Sequence, residues 1–346
     1  MKPGSLMAGL ALAMTLLVFT FNTTRAQTEG ETVEPAEVVP APVVPETSSE
    51  TRNPNARIGE AFSRAGEDTS PEADFAFGAY QRGMYLTAFD LALPRAEAGD
   101  AAAQTLIAEL YDLGRGVAQD TRKAAEWYEV AAKSGNREAQ FSFAMKLIEG
   151  VDVPRDKGRA IELLKEAAED GHPLAMFNYA SHLIAERPTS LGYRQALPFL
   201  ERAAEFRLSD AYYLLAKIYT EGLATGVGNP AKGREWMERA ARSGIDTAQI
   251  ELGIALMNGL YGERDEKQAL RWFATAAQSG NVIAQNRLAH MLFGGTGTEQ
   301  KPVEAAKWHI LAKRAGRADP LLDQLLRQLG DDDRKEALAR ANRWPL

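Results

Sequence analysis

One period organises most of this chain. The dipeptides Ala98-Gly99, Ser134-Gly135, Asp170-Gly171, Ser243-Gly244, Ser279-Gly280 and Ala315-Gly316 each precede a helix start, and Phe206-Arg207 fills the one missing place. The spacings between them are 36, 36, 36, 37, 36 and 36 residues. A chain that repeats at such a period folds as a solenoid, because each unit can bury its apolar face only against its neighbours.

Within the period the phases are regular. Four residues past each glycine position stands Ala, at 103, 139, 175, 211, 248 and 284. Four further on stands a large residue: Ile107, Phe143, Tyr179, Leu215, Leu252 and Leu288. Four more gives Tyr111, Leu147, Leu183, Tyr219, Leu256 and Leu292. Spacings of four place all three rows on one helical face. A second helix follows in each unit, with Trp127, Leu163, Phe199, Trp236, Trp272 and Trp308 at one phase, whose five rings are read as locking one hairpin onto the next. The link between the helices is glycine-rich (Gly114, Gly116, Gly222, Gly259, Gly294, Gly295, Gly297). No Gly-Lys-Ser/Thr follows and no strand precedes, so it reads as helix termination rather than a phosphate loop. Asp120, Asp156, Asn229 and Asp265 are placed to cap the second helices, and Pro230 and Pro302 sit where a helix start tolerates proline.

The order glycine, A-Q or A-x, L-A-x-x-Y/L, G-x-G, K-A-x-x-W-Y-x-x-A-A-x-x-G resembles the Sel1-like repeat, a relative of the tetratricopeptide hairpin. Residues 99–134 and 244–279 carry it most closely. The resemblance implies an all-α, right-handed α-solenoid of about seven hairpins over 73–316. LLDQLLRQLG and DDDRKEALARANRW, within 317–346, then form a C-terminal helical cap. It further implies an adaptor or regulator without catalysis or cofactor. FAFGAYQRGMYLTAFD is similar to the opening of an alphaproteobacterial group of periplasmic exopolysaccharide regulators, which restrain a membrane sensor kinase. The repeat also departs from its own pattern. Pro94 stands near the end of the first unit, AERPTSLGY replaces the glycine-rich link after Gly171, Pro198 lies inside a second helix, and Arg207 replaces glycine. A bend is therefore expected over 186–210.

Residues 1–26 have the layout of a secretory signal peptide: Lys2, an apolar run from Leu6 to Phe21, and Thr24-Arg25-Ala26 before Gln27. Cleavage between Ala26 and Gln27 would leave a periplasmic protein with no membrane span; the alternative is an inner-membrane anchor from an uncleaved signal. Residues 27–72, with prolines 35, 40, 42, 45 and 54, read as an acidic disordered linker. The chain's net charge is −7, of which the linker carries −7, the first 26 residues +2 and the repeat region −2. Acidic steering of a basic partner would thus come from the linker, and the total argues against nucleic acid. The chain has no cysteine, which excludes disulfides, thiolate metal sites and a cysteine nucleophile.

His172, His182, His290 and His309 fall at different phases and never at i, i+4, so no helical metal motif is present. Ser181 and His182 are adjacent and face different ways, which is no triad. Glu109, Glu126, Glu162, Glu166 and Glu251 read as solvated helix faces. The informative positions lie on the first helices, outside the core rows. Six past the glycine they run Thr105, Phe141, Phe177, Tyr213, Ile250 and Asn286; ten past, Glu109, Met145, Ser181, Lys217, Ile254 and His290. First helices of hairpin solenoids line the concave surface. Phe141, Met145, Phe177, Ser181, Tyr213, Lys217, Ile254 and His290 are therefore the candidate groove for a protein partner, a membrane sensor or other envelope protein among them. Two readings of the three rings stay open, a shelf in the groove or packing between adjacent first helices. A glycan- or peptidoglycan-binding module is the competing class, since rings in a groove also suit sugars.

Overall fold

A computed structural model describes residues 71–344, and the side chains from residue 75 onward. The expected signal peptide and all but the last two residues of the expected linker lie outside the described residues. From Glu72 on, the described residues form one compact unit.

Sixteen helices, and no strand, are found among the described residues. They form hairpins: α1 (Pro71–Gln81) with α2 (Tyr85–Glu97), α3 (Ala101–Leu113) with α4 (Thr121–Lys133), α5 (Arg137–Glu149) with α6 (Lys157–Glu169), and α7 (Pro173–Glu186) with α8 (Ser190–Glu205). Then come α9 (Ser209–Glu221) with α10 (Pro230–Arg242), α11 (Asp246–Asn258) with α12 (Glu266–Gln278), and α13 (Val282–Gly294) with α14 (Pro302–Arg314). That is seven hairpins, and a final pair, α15 (Pro320–Gln328) and α16 (Asp331–Asn342), packs on the last of them. From α2 to α14 every helix packs on the next in chain order, as a solenoid of nearest-neighbour contacts requires.

Local chemistry sets the boundaries. The side chains of Asp120, Asp156, Asn229 and Asp265 accept the backbone N–H three residues on, so all four act as N-caps of second helices. The first helices have their own caps one residue after the glycine: Asp100, Asn136, His172 and Asn281. First helices end on left-handed Gly114, Gly150, Gly222, Gly259 and Gly295, with φ between 64° and 71°. The second glycine of the link has a different reason. A Cβ on Gly116 would lie 2.6 Å from the Tyr85 carbonyl carbon, and one on Gly297 would lie 2.4 Å from the Glu266 oxygen. There the link runs against the start of the preceding unit's second helix, and only glycine fits.

The Ala row at 103, 139, 175, 211, 248 and 284 is buried throughout, at 4% exposure or less. Beside it Ile107, Phe143, Leu215, Leu252 and Leu288 are buried, while Tyr179 is half-buried with its ring edge-on to Phe199 at 5.1 Å. On the second helices the deepest row is one residue later than the sequence suggests. Tyr128, Leu164, Leu200, Met237 and Phe273 are buried, and fully buried His309 continues their phase. Trp127, Phe199, Trp236 and Trp272 are half-buried beside that row. Trp127 packs on both the first and the central core clusters, and Trp236 on both the central and the last, so these two do bridge neighbouring hairpins.

The irregularities gather where the pattern lapses. Helix α7 ends at Arg187 rather than on a left-handed glycine, α8 runs 16 residues through Pro198, and Arg207 sits at φ 60°. The hydrophobic core nonetheless runs unbroken through 186–210, from Ala108 to Ala224. At the far end Leu322 and Ala341 join the last cluster, and the Trp344 ring meets Trp308 edge-on at 4.9 Å.

Candidate functional site

The sequence-chosen residues occupy matching places on successive first helices: Phe141 and Met145 on α5, Phe177 and Ser181 on α7, Tyr213 and Lys217 on α9, Ile254 on α11 and His290 on α13. All eight are half-buried. Phe141, Met145 and Phe177 rest on the central core cluster, Tyr213 and Ile254 on the last. Each ring is therefore partly buried against the core and partly accessible.

Side chains between adjacent first helices fix this surface. Phe141 stacks flat on the His172 ring, 4.5 Å between centroids and 19° between planes. The His172 Nδ1 accepts the Ala175 N–H at 3.1 Å, which leaves Nε2 carrying the proton that it donates to Glu138 at 2.9 Å. His172 is thus a cap and a tie, and its partner, 34 residues upstream, was not legible from any local pattern. Next along, Tyr213 donates to Glu251 Oε1 at 2.8 Å, and the Lys217 ammonium lies 3.4 Å from Glu251 Oε2 and 3.3 Å from Glu221. Burial and the neighbouring Glu251 push the Tyr213 hydroxyl well above its ordinary range. Burial opposes the Lys217 charge, but Glu251 and Glu221 outweigh it and raise its pKa.

Glu109 and Glu251 are not solvated faces, contrary to expectation. Glu251 takes Tyr213 and Lys217. Glu109 accepts from Tyr80, whose hydroxyl also accepts from Arg115 at 2.7 Å, and burial raises the Glu109 pKa. Glu166, exposed as expected, accepts from Gln140 at 2.9 Å. Lys146, buried, bridges Asp112 at 2.7 Å and Asp152 at 3.2 Å. Apart from Lys146–Asp152, six residues apart, these ties join residues 26 to 38 apart, in neighbouring units or helices, a relation visible in the sequence only once the period is known.

Ile254 and His290 meet in a recess of about 310 Å³ between α11 and α13, which Met257, Arg287 and Met291 also line. His290 Nε2 lies 2.7 Å from Asp319 Oδ2, and Asn286 donates to the same oxygen at 2.9 Å. Burial works against the Asp319 charge, yet these donors and the Leu322 N–H hold its carboxyl well below the usual range. Among the described residues no group of three or more His, Asp or Glu is placed to hold a metal ion, and no helix is long and apolar enough to cross a membrane.

Comparison with known proteins gives a family. The Sel1 repeat matches residues 101–136, 138–172, 209–245, 246–281 and 282–316. No curated protein matches the chain. Among solved structures, it is similar to a Sel1 repeat protein from Oxalobacter formigenes, at 26% identity and a TM-score of 0.59, over 72% of this chain and all of that one. It is also similar to a protective antigen of uropathogenic Escherichia coli strains displaying an SLR fold. The identity there is 24% and the TM-score 0.48, over 83% of this chain and 70% of that one.

Proposed function

This chain belongs to the Sel1 repeat family, and from that premise we propose that it is a periplasmic adaptor or regulator that holds a protein partner along the face of its first helices. Sel1 repeat proteins are generally protein-interaction scaffolds and typically non-catalytic. The observation that carries the finer reading is the row Phe141, Phe177 and Tyr213 on three successive first helices, each half-buried against the core. A rigid, partly exposed ring offers contact area at little entropic cost. The hydrogen bonds around the row, to His172, Glu138 and Glu251, hold that face in one shape before any partner arrives. The secretory layout of residues 1–26 supports the periplasmic placement, and a membrane sensor or another envelope protein is the class of partner that fits it.

In-cell photo-crosslinking tests this. A crosslinking amino acid at Phe177, Ser181 and Lys217 should capture one common protein partner, while the same label at exposed Glu235 on α10 should not. Capture of no protein from any of the three positions would overturn the reading.

A further inference from the structure

We infer that the recess between α11 and α13 is a subsite for an acidic side chain that a protein partner carries next to an aliphatic one. This rests on the groove reading above and narrows it to one chemistry. Ile254 and Met257 of α11 and Met291 of α13 supply apolar walls to the recess of about 310 Å³, and Arg287 and His290 bring polar groups to it.

The charge argument starts from an inventory. The seven first helices carry four Lys or Arg residues: Arg137, Lys146, Lys217 and Arg287. Three are committed within the fold. Arg137 donates to the Asp170 carbonyl at 2.9 Å, Lys146 bridges Asp112 and Asp152, and Lys217 is held by Glu221 and Glu251. Arg287 is exposed and has no hydrogen bond or ion pair among the described residues.

The carboxylates that could have answered it are taken. Glu251, at the same repeat position one unit upstream, accepts from Tyr213 and Lys217. Asp319 accepts from Asn286, His290 and the Leu322 N–H. The site is thus a free guanidinium beside a recess of mixed lining, apolar at Ile254, Met257 and Met291 and polar at Asn258, His290 and Thr296. A guanidinium gains most from a planar carboxylate that it can bind with two N–H groups, and the recess takes the neighbouring aliphatic group out of water. A basic or wholly apolar partner segment would leave Arg287 unanswered.

The test uses the full chain labelled with [13C-methyl]methionine, since Met257 and Met291 report directly on the recess and can be assigned through Met→Leu variants. The probes are three capped hexapeptides: Gly-Glu-Leu-Glu-Leu-Gly, its Gln-for-Glu analogue and its Lys-for-Glu analogue. The Glu-Leu peptide should shift both methyl signals saturably. The Gln analogue, or Arg287→Gln, should weaken binding about fivefold or more, as loss of a charge-assisted pair implies. Arg287→Lys should retain part of the affinity. Arg287 is exposed, so its variants should keep the parent's melting curve, and that is checked alongside.

Equal shifts from the Lys-Leu peptide, or undiminished binding by Arg287→Gln, would overturn the subsite. The groove reading is separable from it. If crosslinks at Phe177 and Lys217 capture the same partner in wild type and Arg287→Gln at equal yield, the groove stands and the subsite falls. If the methyl titration succeeds while no groove position captures a protein, the subsite stands and the groove falls.

Discussion

In three of the four first helices with an Ala-Gln pair at this phase, the glutamine explains a residue choice that packing alone does not; the fourth, Gln140, turns to Glu166 instead. Gln104, Gln249 and Gln285 are buried, and each donates its amide back to a carbonyl near the end of the preceding second helix, Ala96, Ala241 and Ala277 in turn. The bond clips one hairpin to the next across the tight glycine turn. Removing one clip should cost about 1 kcal/mol for the bond, with a further contribution from lost packing. Gln249→Ala is therefore expected to lower stability by about 1–2 kcal/mol in urea denaturation, with the m-value unchanged. Arg207 is the opposite case. It is the only non-glycine residue with positive φ among those described, at a place where every other unit has glycine. A left-handed conformation costs an L-residue about 1–2 kcal/mol. Arg207→Gly should accordingly raise stability by about 0.5–1 kcal/mol, after part of the gain is offset by the freer unfolded chain. The same denaturation series measures it.

At the scale of the helix, the hairpin plan was almost completely legible in the sequence, because capping side chains and left-handed glycines recur at fixed places of the period. Asp120, Asp156, Asn229 and Asp265 stand where a side chain must accept a free N–H. Depth of burial was less legible. Trp127 and Tyr128 are about 100° apart on a helix, so either fits an apolar stripe, and packing alone chose the second for the deepest place. The candidate groove residues share matching places on successive first helices, but their partners were not legible in the sequence. Phe141 on His172 and Tyr213 on Glu251 span a repeat boundary, which no local pattern reveals. The half-burial of the rings has a measurable consequence. Phe143, 2% exposed, should cost about 3–5 kcal/mol when cut to Ala, whereas Phe177→Ala should cost about 1–2 kcal/mol and act mainly on crosslinking yield. Equal losses for the two would return Phe177 to the core. Helix α15 adds a pH dependence. Asp319 caps it and is held below the ordinary carboxylate range in the folded chain, so its contribution is fully present above the unfolded value near pH 4 and lost as pH falls below it. Stability measured from pH 7 down to pH 2.5 should stay level to about pH 4 and then fall. In Asp319→Asn the fall should be shallower, and the gap between the two chains should narrow below pH 4 without closing by pH 2.5, since the folded-state carboxyl is held well below its ordinary range.

The whole molecule is a row of nearest-neighbour contacts, and its core is gathered into three clusters rather than one. The first runs from Ala76 to Leu110, the second from Ala108 to Ala224, and the third from Ala216 to Ala341. The seams are narrow. Trp127 and Tyr111 serve both sides of the first, and Tyr212 and Trp236 both sides of the second. At the second seam the Tyr212 and Trp236 rings lie 5.8 Å apart, and the Arg239 guanidinium covers Trp236 at 4.4 Å. In a solenoid stability is a sum of unit and interface terms, so cooperativity depends on the weakest interface staying strong enough to couple its neighbours. Trp236→Ala and Trp272→Ala remove the same half-buried side chain from equivalent positions, but only Trp236 spans two clusters. Both variants should lose about 2–4 kcal/mol. Trp272→Ala should keep a single sharp unfolding transition. Trp236→Ala should broaden it or split it in two, with hydrogen exchange rising first in the segment from α10 to α16 while the amides of α5 to α8 stay protected. A single sharp transition in both variants would mean that the seam at α9 and α10 carries coupling through more than these two rings.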